Sequence, residues 1–128
     1  MKTLRIAIPS IGTKGMKDKV SSVFAKAPVF TIIDIVEGEI KEIRKEKNPA
    51  SDLKQGSGPI VVKNLKDQGV EIIVSGEIGP GARTLIEMSG IKLVNVEPNI
   101  RVSEALEIAL KKLSSVKTGN KSSFSLKF

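Results

Sequence analysis

Between Val70 and Val96 the chain reads strand, glycine turn, helix, strand, and this unit constrains the fold more than any other stretch. Val70–Val74 is a short apolar run rich in β-branched residues, the composition of a strand buried on both faces. Gly76-Glu77-Ile78-Gly79-Pro80-Gly81 follows, and a helical pattern opened by Pro80 runs to Gly90. Proline suits a first helical position because its missing N–H would find no partner there. Ile91–Val96 is strand-like again. Two strands joined through a helix lie parallel, with a right-handed crossover. A strand, a glycine-rich turn and a helix N-terminus also bring bare backbone N–H groups up to a ligand.

The remaining segments build around that unit. Leu4–Ile8 is the first strand, too short and too β-branched for a signal peptide, and Pro9–Lys19 is a loop carrying Gly12 and Gly15. Val20–Ala25 is expected to form a short helical turn. Val29–Val36 and Glu39–Glu46 read as a hairpin about Glu37-Gly38. The third strand sets Ile40 and Ile43 among charges, as an exposed edge guarded by Lys and Glu does. After the polar stretch Lys47–Gly58, helices are expected over Pro59–Gln68, with Gly69 as a left-handed C′ residue, over Pro80–Ser89, and from Arg101 to Leu113. In the last, Val102, Ala105, Leu106, Ala109, Leu110 and Leu113 line one face. Residues 1–113 thus form a single α/β domain, and Ser114–Phe128 a basic, flexible tail. The order β-β-β-α-β-α-β-α implies a five-stranded mixed sheet, order 3-2-1-4-5, with strand 2 antiparallel. The loops leaving the carboxyl ends of strands 1 and 4 are then neighbours, at a reversal where open α/β sheets hold ligands.

Composition narrows the chemistry. The chain has no Cys and no His, so thiolate or imidazole ligation of zinc, haem or iron–sulfur centres, and every nucleophile–His dyad, are excluded within it. Trp and Tyr are also absent, which argues against a stacking surface for single-stranded nucleic acid. The net charge is +7, but Lys117, Lys121 and Lys127 place three of those charges on the tail. Interspersed acids elsewhere describe a solvated surface rather than a nucleic-acid footprint. No apolar run is long enough to cross a membrane, and a soluble cytoplasmic protein is the expectation.

The candidate binding residues sit on the two loops. Gly76, Glu77, Ile78, Gly79 and Gly81 would present the start of the second helix to an anion or cofactor. The structural alternative is that the glycines only permit a tight turn. Ser10, Gly12, Thr13 and Lys14 on the facing loop would add hydroxyl, backbone and ammonium donors. A dinucleotide site is disfavoured, because the glycines run G-x-x-G-x-G rather than G-x-G-x-x-G. Asp34 interrupts an apolar strand, and it is expected to hydrogen-bond the Phe24–Phe30 turn. A nuclease-type two-metal site would need further carboxylates beside it, and strand 1 has none.

Several segments together resemble the dinitrogenase iron–molybdenum cofactor biosynthesis family, of the NifX and NifB C-terminal type. Phe24-Ala25-Lys26-Ala27-Pro28-Val29-Phe30 followed by Ile33-Asp34 is similar to its "F-G-R-A-P-x-F … D" segment. Asn48-Pro49, the Gly56-Ser57-Gly58 opening of the first helix, and Gly69–Ala82 match its second half, and Gly90-Ile91-Lys92-Leu93 and Glu104-Ala105-Leu106 complete it. The resemblance covers residues 4–113 and implies a ribonuclease-H-like three-layer fold. It also implies a carrier or chaperone of an iron–sulfur or iron–molybdenum cluster rather than an enzyme, and adds Ser57 and Gly58 to the binding set. Many relatives place a His before the first helix and some carry Cys; here the loop reads Gln55-Gly56-Ser57-Gly58.

The expectation is therefore a non-enzymatic small binding protein that holds an anionic ligand or metal cofactor at the loops after strands 1 and 4. Its partner would be a cluster-assembly protein or a small anionic ligand, with no nucleic acid and no membrane. The competing reading is a protein or nucleic-acid interaction module that keeps the fold without cofactor binding.

Overall fold

The computed structural model describes residues 3–116. Its elements are β1 (Thr3–Ser10), β2 (Val29–Val36), β3 (Glu39–Lys47), α1 (Ser57–Asp67), β4 (Ile72–Ser75), α2 (Pro80–Met88), β5 (Lys92–Asn95) and α3 (Val102–Val116). The sheet order is β3-β2-β1-β4-β5, with β2 antiparallel to both β1 and β3, and with β1, β4 and β5 parallel. This is the 3-2-1-4-5 order expected from the crossover rule.

Strand alternation sorts the side chains into two layers. Ile6, Ile8, Ile33, Ile35, Ile72 and Val74 face α3 and meet Val102, Ala105, Leu106, Ala109 and Leu110. Ala7, Phe30, Ile32 and Ile73 face the other way, against Val61, Val62 and Leu65 of α1 and Ile86 of α2. Helices on both faces explain why the β4 run Ile72–Ser75 is buried throughout, whereas the edge strand β3 has no buried residue. The β2–β3 turn has positive φ at both Glu37 (55°) and Gly38 (82°), the two-residue geometry that matches strand twist.

Two local expectations need correction. Val20–Ala25 is not a helical turn; the only helical turn between β1 and β2 is a 3₁₀ turn at Gly15–Lys17. Val20 is fully buried, and its backbone bonds to Ile100 and Asn99 of the β5–α3 connection, so tertiary pairing displaces local helix formation. Asp34 does not hold the Phe24–Phe30 turn. It accepts from Arg5 Nε at 2.7 Å and Nη2 at 3.0 Å across the β1–β2 ladder, where Arg5 and Asp34 lie opposite each other. The turn is held instead by Asn48, whose Nδ2 donates to the carbonyls of Ala25 and Ala27, and by an edge-on Phe24–Phe30 contact. Helix α3 continues to Val116, past Leu113; the rest of the expected tail lies outside the described residues. Among those residues no helix is long and apolar enough to cross a membrane.

Candidate functional site

Strands β1 and β4 are parallel neighbours, so the loops after Ser10 and Ser75 leave the same end of the sheet. Helix α1 begins there too. A Cβ placed on Gly58 would lie 3.6 Å from the Ala82 Cβ, so the first turns of α1 and α2 touch.

The loop after β1 is closed on itself. Asp18 is buried, and its carboxylate accepts the backbone N–H of Lys14 at 2.9 Å and of Lys19 at 2.8 Å. Burial pushes the Asp18 carboxyl up. The N–H groups of Lys14, Lys19 and Gly12, with the Lys14 charge, outweigh that and hold it below the ordinary carboxylate range. A Cβ on Gly12 would come within 3.0 Å of Asp18 Oδ2, so here glycine serves the close approach of an internal carboxylate. Thr13 and Lys14 keep exposed side chains. Ser10 leaves the candidate set: it is fully buried, shares a 2.7 Å hydrogen bond with Thr31 and donates to the Ile8 carbonyl. Both partners lie on the α3 side of the sheet, away from α1 and α2.

The loop after β4 is built differently. Ile78 is buried in the α1–α2 layer and anchors the turn, so its side chain serves the core rather than a ligand. Glu77 is exposed. Gly76 is buried, with ordinary contacts to Val96 and Pro98 where its Cβ would be. Gly79 has φ −62° and ψ 159°, the extended conformation that a following proline imposes on any residue. Neither Gly79 nor Gly81 has positive φ, and a Cβ on either would meet nothing within 4 Å. The turn therefore does not demand glycine at these two positions. What glycine leaves there is open backbone at the start of α2, whose N-cap makes no side-chain hydrogen bond. Helix α1 likewise starts from a glycine, Gly56, without a side-chain cap. Ser57 is buried, and Gly58 serves the contact with Ala82.

Ser75 was not among the residues singled out from the sequence. It is 1% exposed, and its Oγ has no hydrogen-bond partner. The sequence signal was there, a hydroxyl closing the run Ile72-Ile73-Val74 in a strand that must be buried on both faces.

The donor set of this sheet end does not fit a cluster ligated directly by protein. Thiolate and imidazole are absent from the chain, and among the described residues no three carboxylates converge to hold a metal ion. Open backbone N–H groups and an unpaired hydroxyl fit an anion held by hydrogen bonds. A surface cleft at the opposite sheet end is lined by Arg5, Asp34, Gly69 and Glu71, but its cation is committed, to Asp34 and to the Gln68 carbonyl.

An uncharacterised protein of Methanocaldococcus jannaschii is 28% identical over 90 residues, 70% of this chain and 76% of that one. Among solved structures, the apo form of the orange protein from Desulfovibrio gigas superposes with TM-score 0.76 at 25% identity, covering 84% of this chain and 88% of that one. A protein from Thermotoga, described as a "putative NifB protein", does so with TM-score 0.69 at 32% identity and the same coverage. The family model described as dinitrogenase iron-molybdenum cofactor matches residues 4–112. The chain belongs to this dinitrogenase iron–molybdenum cofactor family.

Proposed function

We propose that this protein is a non-enzymatic carrier that binds an anionic metal cofactor, or an anionic precursor of one, where α1 and α2 begin. The observation that carries this reading is the pair Gly79 and Gly81. They leave open backbone at an uncapped helix N-terminus although neither φ nor packing requires glycine. Family membership and the likeness to an apo protein support a bound group of some kind. The lack of Cys and His restricts how it is held, by hydrogen bonds and field rather than by metal–protein bonds. Exposed Ile11 and Val23, in the β1–β2 connection that also carries exposed Lys14 and Lys17, would meet a cluster-assembly protein during transfer.

Tetrathiomolybdate, a metal–sulfur dianion, is the test ligand. Titration calorimetry should show binding that Gly79→Ala and Gly81→Ala each weaken about tenfold, a change of ~1.4 kcal/mol, while melting temperature holds. Unchanged affinity in both variants would reduce the glycine turn to architecture and put the interaction-module reading first.

A further inference from the structure

We infer that the Ser75 hydroxyl is the buried donor of an anion seat shared by the first turns of α1 and α2, and that the seat takes a compact anion stripped of its water. The inference rests on the carrier reading above and names the binding group and ligand class of that site.

Ser75 Oγ is an anomaly in an otherwise well-paired interior. Buried Ser10 and Thr31 bond to each other, Asn48 to three backbone groups, and Asp18 to backbone N–H. Among the described residues Ser75 Oγ is the one buried side-chain polar atom left without a partner. An unmet hydroxyl in a dry interior is costly, and one kept in a native fold calls for an explanation.

Its position supplies one. Along β4, Ile72 and Val74 belong to the α3 layer and Ile73 to the α1–α2 layer, so Ser75 shares the Ile73 side. It is the last residue of β4, immediately before the turn that opens α2. The hydroxyl therefore faces the layer in which the first turns of α1 and α2 meet at Gly58 and Ala82. These helices are eleven and nine residues long, and neither has a side-chain cap. Each N-terminus carries unpaired N–H groups and about half a positive charge. Two such ends in contact repel one another and share a need for negative charge.

All these donors are neutral N–H and O–H groups fixed to rigid elements, so shape and charge decide the ligand. Two half-charges sum to about one positive charge, which favours an anion over a neutral group of the same shape.

Ser75→Ala tests this in the full-length protein. The expected results are an unchanged or higher melting temperature without ligand, because no protein hydrogen bond is lost, and about tenfold weaker tetrathiomolybdate binding. Molybdate, a tetrahedral oxyanion, should compete for the wild-type site. Wild-type affinity in Ser75→Ala, a fall in its melting temperature, or no competition by molybdate overturns the inference. If Gly79→Ala weakens binding while Ser75→Ala does not, the carrier reading stands and only the seat falls. If the wild type binds no tetrathiomolybdate, both fall.

Discussion

The two loops at the carboxyl end of the sheet start from parallel neighbouring strands, both carry glycines, and they end in opposite states. The loop after β1 brings its own anion: Asp18 takes the backbone N–H groups that an external ligand would otherwise use. The loop after β4 has no internal acceptor, and its helix begins uncapped above an unpaired hydroxyl. Glycine content does not separate them. What separates them is whether a carboxylate of the loop folds back onto the loop's own backbone. Asp18 can reach Lys14, whereas in the second loop Glu77 is turned to solvent and Ile78 occupies the interior.

The largest expected effect comes from removing the internal anion. Asp18→Ala leaves the Lys14 and Lys19 N–H groups without their charged acceptor and should cost about 2–3 kcal/mol of unfolding free energy. Asp18→Asn keeps one acceptor oxygen and should cost about half as much. Acid dependence carries the sign of the same contact. A carboxyl whose folded pKa lies below its unfolded value contributes stability that is present above about pH 4 and lost as pH falls through the folded pKa. Asp18 and Asp34 are both held low, Asp34 by its hydrogen bond from Arg5. Urea unfolding across the acid range should therefore show a shallower loss in Asp18→Asn, with the Asp34 share remaining. A variant as stable as wild type, with the same acid limb, would make the first loop as open as the second and break the contrast.

A second, smaller effect separates glycines that the backbone requires from those it does not. Gly90 closes α2 with φ +78°, so Gly90→Ala should cost about 1 kcal/mol although its Cβ would have free space. Gly79→Ala should stay within about 0.5 kcal/mol of wild type, and Gly81→Ala, inside the first turn, should gain a few tenths. Thermal unfolding of the three variants measures the difference. Equal losses would mean that the open turn is strained after all.

The architecture was largely legible in the sequence, because it follows from patterns that local chemistry imposes. The β2 bounds, the positive φ of Gly69 and Gly90, and the order 3-2-1-4-5 come from apolar runs, helix-ending glycines and crossover handedness. The site was less legible, for a physical reason in each case. Asp18 acts on backbone N–H groups of its own loop, a contact with no side-chain signature. Arg5 meets Asp34 only through the β1–β2 register, and the long segment 11–28 between those strands leaves that register unspecified by any turn. A glycine letter inside a turn does not report the sign of φ, so the extended Gly79 is not told from a left-handed one until the backbone is seen. Ser75 is conspicuous only once both sheet faces are known to be covered.

The smallest effect is diagnostic because its sign, not its size, decides. Glu77 is exposed and lies two residues before Gly79, the N-cap of α2. If that helix end faces an anion, the Glu77 charge opposes binding, and Glu77→Gln should tighten tetrathiomolybdate binding about two- to threefold, as a screened surface charge does. Stability should fall by no more than about 0.5 kcal/mol, since a carboxylate near a helix N-terminus is mildly favourable. The gain should shrink in 1 M salt, where the Debye length is about 3 Å. If Glu77 instead holds a hard cation, the same substitution weakens binding and salt does not restore it. A loss of affinity would reverse the sign of the site, making the second loop, like the first, a place where the chain's own carboxylate is the working group.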